Sequence, residues 1–167
     1  NWETIKLEMK NLATRKTSKD SVLKLLAAPV RLEFLTALAI KSKMEKVVVK
    51  PNYSSDDTGL PTSTAGGNKG DIECFENGNG ILVEVTMSEG RTQTMMEIWP
   101  IQRHLADFIV ENNFSAQCIF TAPTIFSDSK DQIEWVKDRK NLTIRDYPIE
   151  KFTEYLETAE KLYEEKL

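Results

Sequence analysis

Apolar residues recur at helical spacing through the first quarter of the chain. Residues 2–15 predict an amphipathic helix, and Ser18 or Asp20 is suited to cap a short second helix. Pro29 suits the first turn of a third helix, which is expected to extend to about Met44. Because apolar side chains lie nearly all round this third helix, we expect it to be buried on several sides.

Two alternating runs separated by a turn sequence give the clearest local signal. The segments GDIECFE and ILVEVT flank NGNG at positions 77–80, which is typical of a β-hairpin. A hairpin symmetric about the centre of this turn pairs Glu73 with Glu84 and Asp71 with Thr86. Since side chains alternate between the faces of a strand, these four side chains are expected on one face. The opposite face carries residues expected in the core, namely Ile72, Cys74, Val83 and Val85.

The remaining segments alternate between strand-like and helical patterns. They predict a strand at residues 46–53, a loop at 54–70, a helix at 91–112 that is kinked or restarted at Pro100, a strand at 116–121, a helix near 132–139, a strand at 142–146 and an exposed, acidic helix from 149 onward. A loop as long as 54–70 is often functional in a compact domain. The order of elements predicts an α/β sandwich in which helices flank a mixed central β-sheet.

Composition is typical of one soluble globular domain. The 167 residues are 40% hydrophobic and 29% charged, and no stretch approaches the roughly 18 apolar residues of a membrane span. Cys74 and Cys118 lie in apolar runs and indicate core thiols of a reduced, cytoplasmic protein with no membrane partner. Because the chain begins at Asn1 and not at Met, we expect it to be part of a longer protein.

Charge is distributed unevenly along the chain. Residues 1–50 carry 11 basic and 5 acidic side chains, and residues 51–100 carry 2 basic and 8 acidic ones. The net charge of −4 therefore conceals a basic first third beside a carboxylate-rich middle. This separation is compatible with a bound cation in the middle and a bound anion in the first third, or with solvated surface charge alone.

The carboxylates on the polar face of the hairpin raise the question of what neutralises them. Asp71, Glu73 and Glu84 repel one another unless they share a proton or a cation, and a hard divalent cation takes oxygen ligands. The alternative is a solvent-facing strand whose charges never meet. Glu33 lies in the apolar third helix, where an unpaired carboxylate is costly to bury. The alternative is that a salt bridge to a lysine neutralises Glu33.

A further acid and the single histidine lie in the helix that follows the hairpin. Glu97 and His104 are seven residues apart, so two helical turns place them on one face. They are either site residues with a common orientation or structural residues.

The spacing of Asp71, twelve intervening residues and Glu84-Val85-Thr86 resembles a variant of the PD-(D/E)xK nuclease motif. Gly70 stands where that motif usually has proline, and Thr86 stands where it usually has lysine. With the stretches LLAAPVRLEFLTALAIKSK and GDIECFENGNGILVEVTMSEGRTQTMMEIWPIQRHL, the pattern resembles the AlwI-type family of type IIS restriction and strand-specific nicking endonucleases over roughly residues 20–125.

The resemblance implies a restriction-endonuclease-like sandwich and a metal-dependent site. Residues 1–167 would form a single C-terminal cleavage domain, with a separate N-terminal region reading the DNA sequence. The implied ligands of Mg²⁺, or of Mn²⁺ as its substitute, are Asp71, Glu84, the carbonyl of Val85, Glu33 and Glu97. Because the motif lysine is missing, Glu97 or His104 is the expected group that orients or deprotonates the attacking water.

The implied activity is hydrolysis of a DNA phosphodiester bond to leave a 5′ phosphate. The expected partners are double-stranded DNA, the chain's own recognition domain and, as in some relatives, a separate small catalytic subunit that cuts the other strand. The missing lysine favours one alternative, an inactive nuclease-fold module for protein interaction. Another alternative is a metal-dependent nuclease of the resolvase or repair type, which would be favoured by a strongly basic dimer surface.

Overall fold

The computed structural model describes residues 1–66 and 69–165 and confirms the predicted α/β sandwich. Within these residues the helices are α1 (Trp2–Ala13), α2 (Ala28–Lys43), α3 (Gly90–Asn112), α4 (Ser127–Lys140) and α5 (Ile149–Thr158), with one 3-10 helix at Leu23–Leu25. The strands are β1 (Val48–Pro51), β2 (Ile72–Glu76), β3 (Asn79–Val85), β4 (Ala116–Ala122) and β5 (Ile144–Pro148). None of the helices in the described part is long and apolar enough to cross a membrane.

The five strands form one mixed sheet in the order β1-β2-β3-β4-β5. β1, β2 and β3 are antiparallel neighbours, whereas β3, β4 and β5 run parallel. Parallel neighbours need a crossover connection, and α3 and α4 supply the two crossovers. The central strand β3 is therefore joined directly to α3, and this connection brings residues from both elements to one place.

The hairpin register differs by two residues from the prediction. Glu73 pairs with Leu82 rather than with Glu84, because the turn consists of Asn77 and Gly78 alone. Both turn residues have positive φ, 50° and 80°, as a tight primed hairpin turn requires. An even shift leaves every side chain on its predicted face. Extending the observed register by one pair places Asp71 opposite Glu84 and not opposite Thr86.

The sheet separates two apolar layers. On one face, α1, α2 and α5 pack against a core that contains Ile72, Cys74 and Val83, with Val85 packed at its margin. On the other face, α3 and α4 cover Leu82 and Cys118. Both cysteines are buried and free, as the sequence predicts.

Several predicted elements differ in detail. The short second helix is only a 3-10 turn, at whose start Asp20 accepts hydrogen bonds from the amides of Val22 and Leu23. α3 passes through Pro100 without ending. α5 is not exposed, because its apolar face is buried. The described part of the loop at 54–70 contains no helix or strand beyond an isolated bridge, and residues 67 and 68 lie outside the description.

Candidate active site

The two acids of the hairpin meet where β2 begins and β3 ends. Asp71 Oδ2 accepts a hydrogen bond of 2.8 Å from the amide of Val85, and the carboxyl groups of Asp71 and Glu84 lie close enough for each to shift the pKa of the other. Glu84 is buried. The predicted proximity of Asp71 and Glu84 is therefore present, although the register that was expected to create it is not.

Gly70 allows this close approach. A Cβ atom at this position would lie 2.3 Å from Leu82 Cδ1 and 2.7 Å from Glu84 Oε1. Real Cβ atoms do not tolerate such distances, so the strands can approach here only because the residue has no side chain. A proline at this position would need still more space, because its pyrrolidine ring is larger than a methyl group.

Glu33 reaches the acidic pair from α2. Its Oε1 accepts a hydrogen bond of 3.0 Å from the amide of Ala65, in the long loop that precedes the hairpin. Burial raises the pKa of Glu33 to about 7, the bond from Ala65 partly opposes this effect, and the charge of Glu84 adds to it. No cationic side chain in residues 1–66 and 69–165 forms an ion pair with Glu33, so the alternative of a lysine salt bridge is not observed.

Glu97 and His104 approach the same place from α3, as their spacing predicts. Glu97 Oε1 lies 3.0 Å from Thr86 Oγ1 and 3.1 Å from Ser88 Oγ. His104 Nδ1 lies 3.0 Å from Glu84 Oε1, and the imidazole side chain is only 13% exposed. The helix thus contacts both the end of β3 and the connection that follows it.

Electrostatic repulsion links the carboxylates into one cluster. The pKa of Asp71 is raised well above its ordinary value by burial first, and then by the negative charges of Glu84 and Glu33, with a smaller effect of Glu97. Burial also raises the pKa of Glu84, although the hydrogen bond and charge of His104 act in the opposite direction. Without a cation, these shifts favour the protonated forms of Glu33, Asp71 and Glu84.

Glu73 does not join this cluster, although it lies on the predicted face. Its carboxylate accepts a hydrogen bond of 2.7 Å from Asn52 Nδ2, and the same amide donates to the Gly70 carbonyl at 2.8 Å. Asn52, together with Ser88 at the site itself, was missed from sequence. Neither residue has a motif spacing that could reveal it, because each depends on where a loop places a short polar side chain.

The donor set suits a hard cation, since it consists of carboxylate oxygens. In the part of the chain that the structure describes, no three His, Cys, Asp or Glu side chains are already arranged as a ligand cage. Mg²⁺ retains several waters and commonly takes only one or two carboxylates from a protein. Asp71 and Glu84 fit that requirement. The atom of Val85 that faces Asp71 is its amide nitrogen, and the predicted role of its carbonyl stays a prediction.

Comparison with solved structures identifies a similar fold. The small subunit of the heterodimeric restriction endonuclease R.BspD6I superposes with a TM-score of 0.76 and 19% identity, covering 92% of this chain and 76% of that one. A protein of Vibrio cholerae, 11% identical over 92% of this chain and 40% of its own, has a TM-score of 0.44. A search of curated proteins gave no significant match.

Comparison with protein families is more specific. The model of the AlwI restriction endonuclease family matches residues 1–154, which is most of the sequence. The chain therefore belongs to the AlwI restriction endonuclease family.

Proposed function

We propose that this chain is a Mg²⁺-dependent DNA cleavage domain of the PD-(D/E)xK type that hydrolyses a phosphodiester bond and leaves a 5′ phosphate. Family membership supports a DNA endonuclease in general. The observation that carries the finer proposal is the convergence of Asp71 and Glu84 with Glu33, Glu97 and His104. A cluster of buried and half-buried carboxylates destabilises the fold, so its presence favours a function that requires it.

Asp71 and Glu84 would bind the cation. Glu33 and Glu97 would add negative charge beside it and could serve as further ligands. When bound, Mg²⁺ supplies Lewis acidity toward the scissile phosphate and lowers the pKa of a bound water. Mn²⁺ would serve as its substitute. The binding of either ion replaces the protons that the cluster otherwise retains, so ion affinity should rise with pH.

Thr86, which stands in place of the motif lysine, is bound to Glu97 and not directed outward. Since the hydroxyls of Thr86 and Ser88 fix one oxygen of Glu97, the second oxygen keeps a constant orientation. We infer that Glu97 accepts the proton of the attacking water. His104 contacts Glu84 and is assigned to positioning that carboxylate.

Sequence recognition and cutting of the second strand are proposed to reside elsewhere. The chain is acidic overall, with a sequence pI near 5.2, and this favours weak binding of DNA by the domain alone. We propose a separate N-terminal recognition domain and a second catalytic subunit as its partners. The neighbour of similar fold is itself a subunit of a heterodimeric restriction enzyme.

The test combines calorimetric titration with Mg²⁺ or Mn²⁺ and a nicking assay on supercoiled plasmid. The site variants are Asp71→Asn and Glu84→Gln, and the matched control is Glu73→Gln, on the same hairpin face but hydrogen-bonded to Asn52. We expect metal binding and Mn²⁺-dependent nicking in the wild type and the control, and neither in the site variants. Metal binding without nicking would indicate that a partner is required, whereas no binding at millimolar metal would favour the inactive interaction module.

A further inference from the structure

A pocket lies between the end of α1 and the start of α2. Its volume is about 270 Å³, several times the roughly 30 Å³ that a water molecule occupies in the liquid. Its lining includes Arg15, Lys16, Thr17, Ala28, Arg31 and Met87. Three of these are cationic, and none is acidic.

Arg31 carries a charge that this pocket does not neutralise. The residue is only 8% exposed, and its Nε is buried without a hydrogen-bond partner among the residues described. Its Nη1 makes only long contacts, 3.3 Å to the Leu26 carbonyl and 3.5 Å to the Leu23 carbonyl. No ion pair of Arg31 with a carboxylate occurs in residues 1–66 and 69–165. A buried cation without a counter-charge is costly, which indicates that an anion binds beside it.

The start of α2 adds to the positive potential. Ala28, the first residue of this 16-residue helix, lines the pocket, and the N-cap residue Ala27 provides no side-chain hydrogen bond. The positive end of the helix dipole therefore lies beside the pocket, although Pro29 has no amide N–H to donate there. Arg31 and the helix terminus are independent features that point to the same ligand charge.

The two other cations differ in availability. Arg15 is already engaged, because it donates to Glu89 at 2.9 Å and to the Met87 carbonyl at 2.7 Å. Lys16 is exposed and has no ion pair within the described chain. Lys16 and the Thr17 hydroxyl can therefore contact a ligand at the pocket mouth while Arg31 contacts it from inside.

The pocket is adjacent to the candidate active site. Met87 belongs to residues 86–89, the connection between β3 and α3. One side of this connection forms the wall of the pocket, whereas the hydroxyls of Thr86 and Ser88 hold Glu97 at the acidic cluster. The pocket and the acidic cluster therefore share one connecting segment.

We propose that this pocket binds a backbone phosphate of the DNA next to the phosphodiester that is cut, with Arg31 and Lys16 as the phosphate contacts. Arginine forms paired hydrogen bonds to phosphate oxygens, and the positive end of the helix dipole favours an anion at this place. This inference rests on the proposed function, because it assigns the placement of the substrate of the same nuclease.

The test measures binding of a fluorescent DNA duplex to the 167-residue chain in EDTA, over a series of salt concentrations. EDTA removes cleavage from the measurement, so the result does not depend on whether the domain is active. The variants are Lys16→Gln and Arg31→Lys, and the control is Lys140→Gln, which removes one exposed lysine at the end of α4. Thermal unfolding of each protein with inorganic phosphate provides a second readout.

We expect Lys16→Gln to weaken duplex binding about three- to tenfold at low salt and to reduce the salt slope by about one. Arg31→Lys should weaken binding and diminish the rise in melting temperature caused by phosphate, and Lys140→Gln should leave both unchanged. If Arg31→Lys fails to fold, Lys16→Gln still tests the proposal, because Lys16 is exposed and its replacement should not disturb the fold. The proposal is overturned if Lys16→Gln binds DNA like Lys140→Gln, or if phosphate stabilises Lys16→Gln as much as wild type. Loss of nicking in Asp71→Asn tests the nuclease assignment separately.

Discussion

The imidazole of His104 contacts Glu84 at 3.0 Å, from Nδ1 to Oε1, where both side chains are largely shielded from solvent. This pair connects α3 to the central strand and opposes the effect of burial on the Glu84 pKa. The contact therefore favours the ionised carboxylate, which is the form that a cation can bind.

Replacement of His104 with alanine is expected to move metal binding to higher pH. Without the imidazole, the pKa of Glu84 rises further, so a larger fraction of the carboxyl is protonated at pH 7. Calorimetric titration with Mn²⁺ at several pH values should show a larger loss of affinity at pH 6.5 than at pH 8.5. An equal loss at both values would instead indicate that His104 acts on the structure of the site and not on ionisation.

Asp71→Asn is expected to abolish nicking without loss of stability. The amide removes a negative charge that repels Glu84 and Glu33, while its oxygen can still accept the hydrogen bond from Val85. We expect the free energy of unfolding at pH 8 to rise on the order of 1 kcal/mol, the equivalent of roughly one pKa unit. Denaturant unfolding measures this change, and Glu73→Gln is the control that should keep nicking. A fall of stability in Asp71→Asn would contradict the repulsion argument.

Stability without metal is expected to fall as pH rises from about 4.5 to about 7. Glu33 has a folded-state pKa of about 7 against an ordinary value of 4.5, so the folded protein binds more protons across this interval. Unfolding then becomes easier as the proton leaves, and Asp71 and Glu84 act in the same direction. Glu33→Gln should flatten the dependence by on the order of 1–2 kcal/mol, less than the full shift because nearby solvent screens the charge.

Binding of a divalent cation should reverse this fall in stability with rising pH. Thermal unfolding with Mg²⁺ should show a larger rise in melting temperature at pH 8 than at pH 5.5, because the ion replaces protons only where the carboxyls can ionise. The same rise at both values would mean that Mg²⁺ binds outside the acidic cluster.

The sequence contains enough to predict the layers of the fold and the residues of the acidic cluster. Asp71 and Glu84 could be placed on one face because a strand alternates with period two, and this conclusion survives an even error in register. Glu97 and His104 could be paired because seven residues make two helical turns. Each inference depends only on the geometry of one element.

Contacts between different elements could not be predicted from the sequence pattern. The bond from Ala65 to Glu33 and the bond from Asn52 to Glu73 both arise from irregular backbone that precedes the hairpin. Loop conformation depends on tertiary packing and not on a periodic pattern, so neither contact has a sequence signature. The unneutralised Arg31 was hidden for the same reason, since its burial requires α1, the 3-10 turn and α2 to pack together.

Gly70 provides the most direct test of the site geometry. Gly70→Ala introduces a Cβ that must displace Leu82 and the Glu84 carboxylate, whose nearest atoms would lie 2.3 Å and 2.7 Å away. We expect a loss of stability of about 1–3 kcal/mol from overpacking, and a loss of Mn²⁺ affinity because Glu84 is moved away from Asp71. Gly66→Ala is the matched control, because a Cβ there would have no atom of residues 1–66 and 69–165 within 4 Å and its backbone is not in the left-handed region. Urea unfolding and calorimetric titration of both variants check the prediction. Normal metal affinity in a folded Gly70→Ala protein would show that the position of the Glu84 carboxylate does not determine binding.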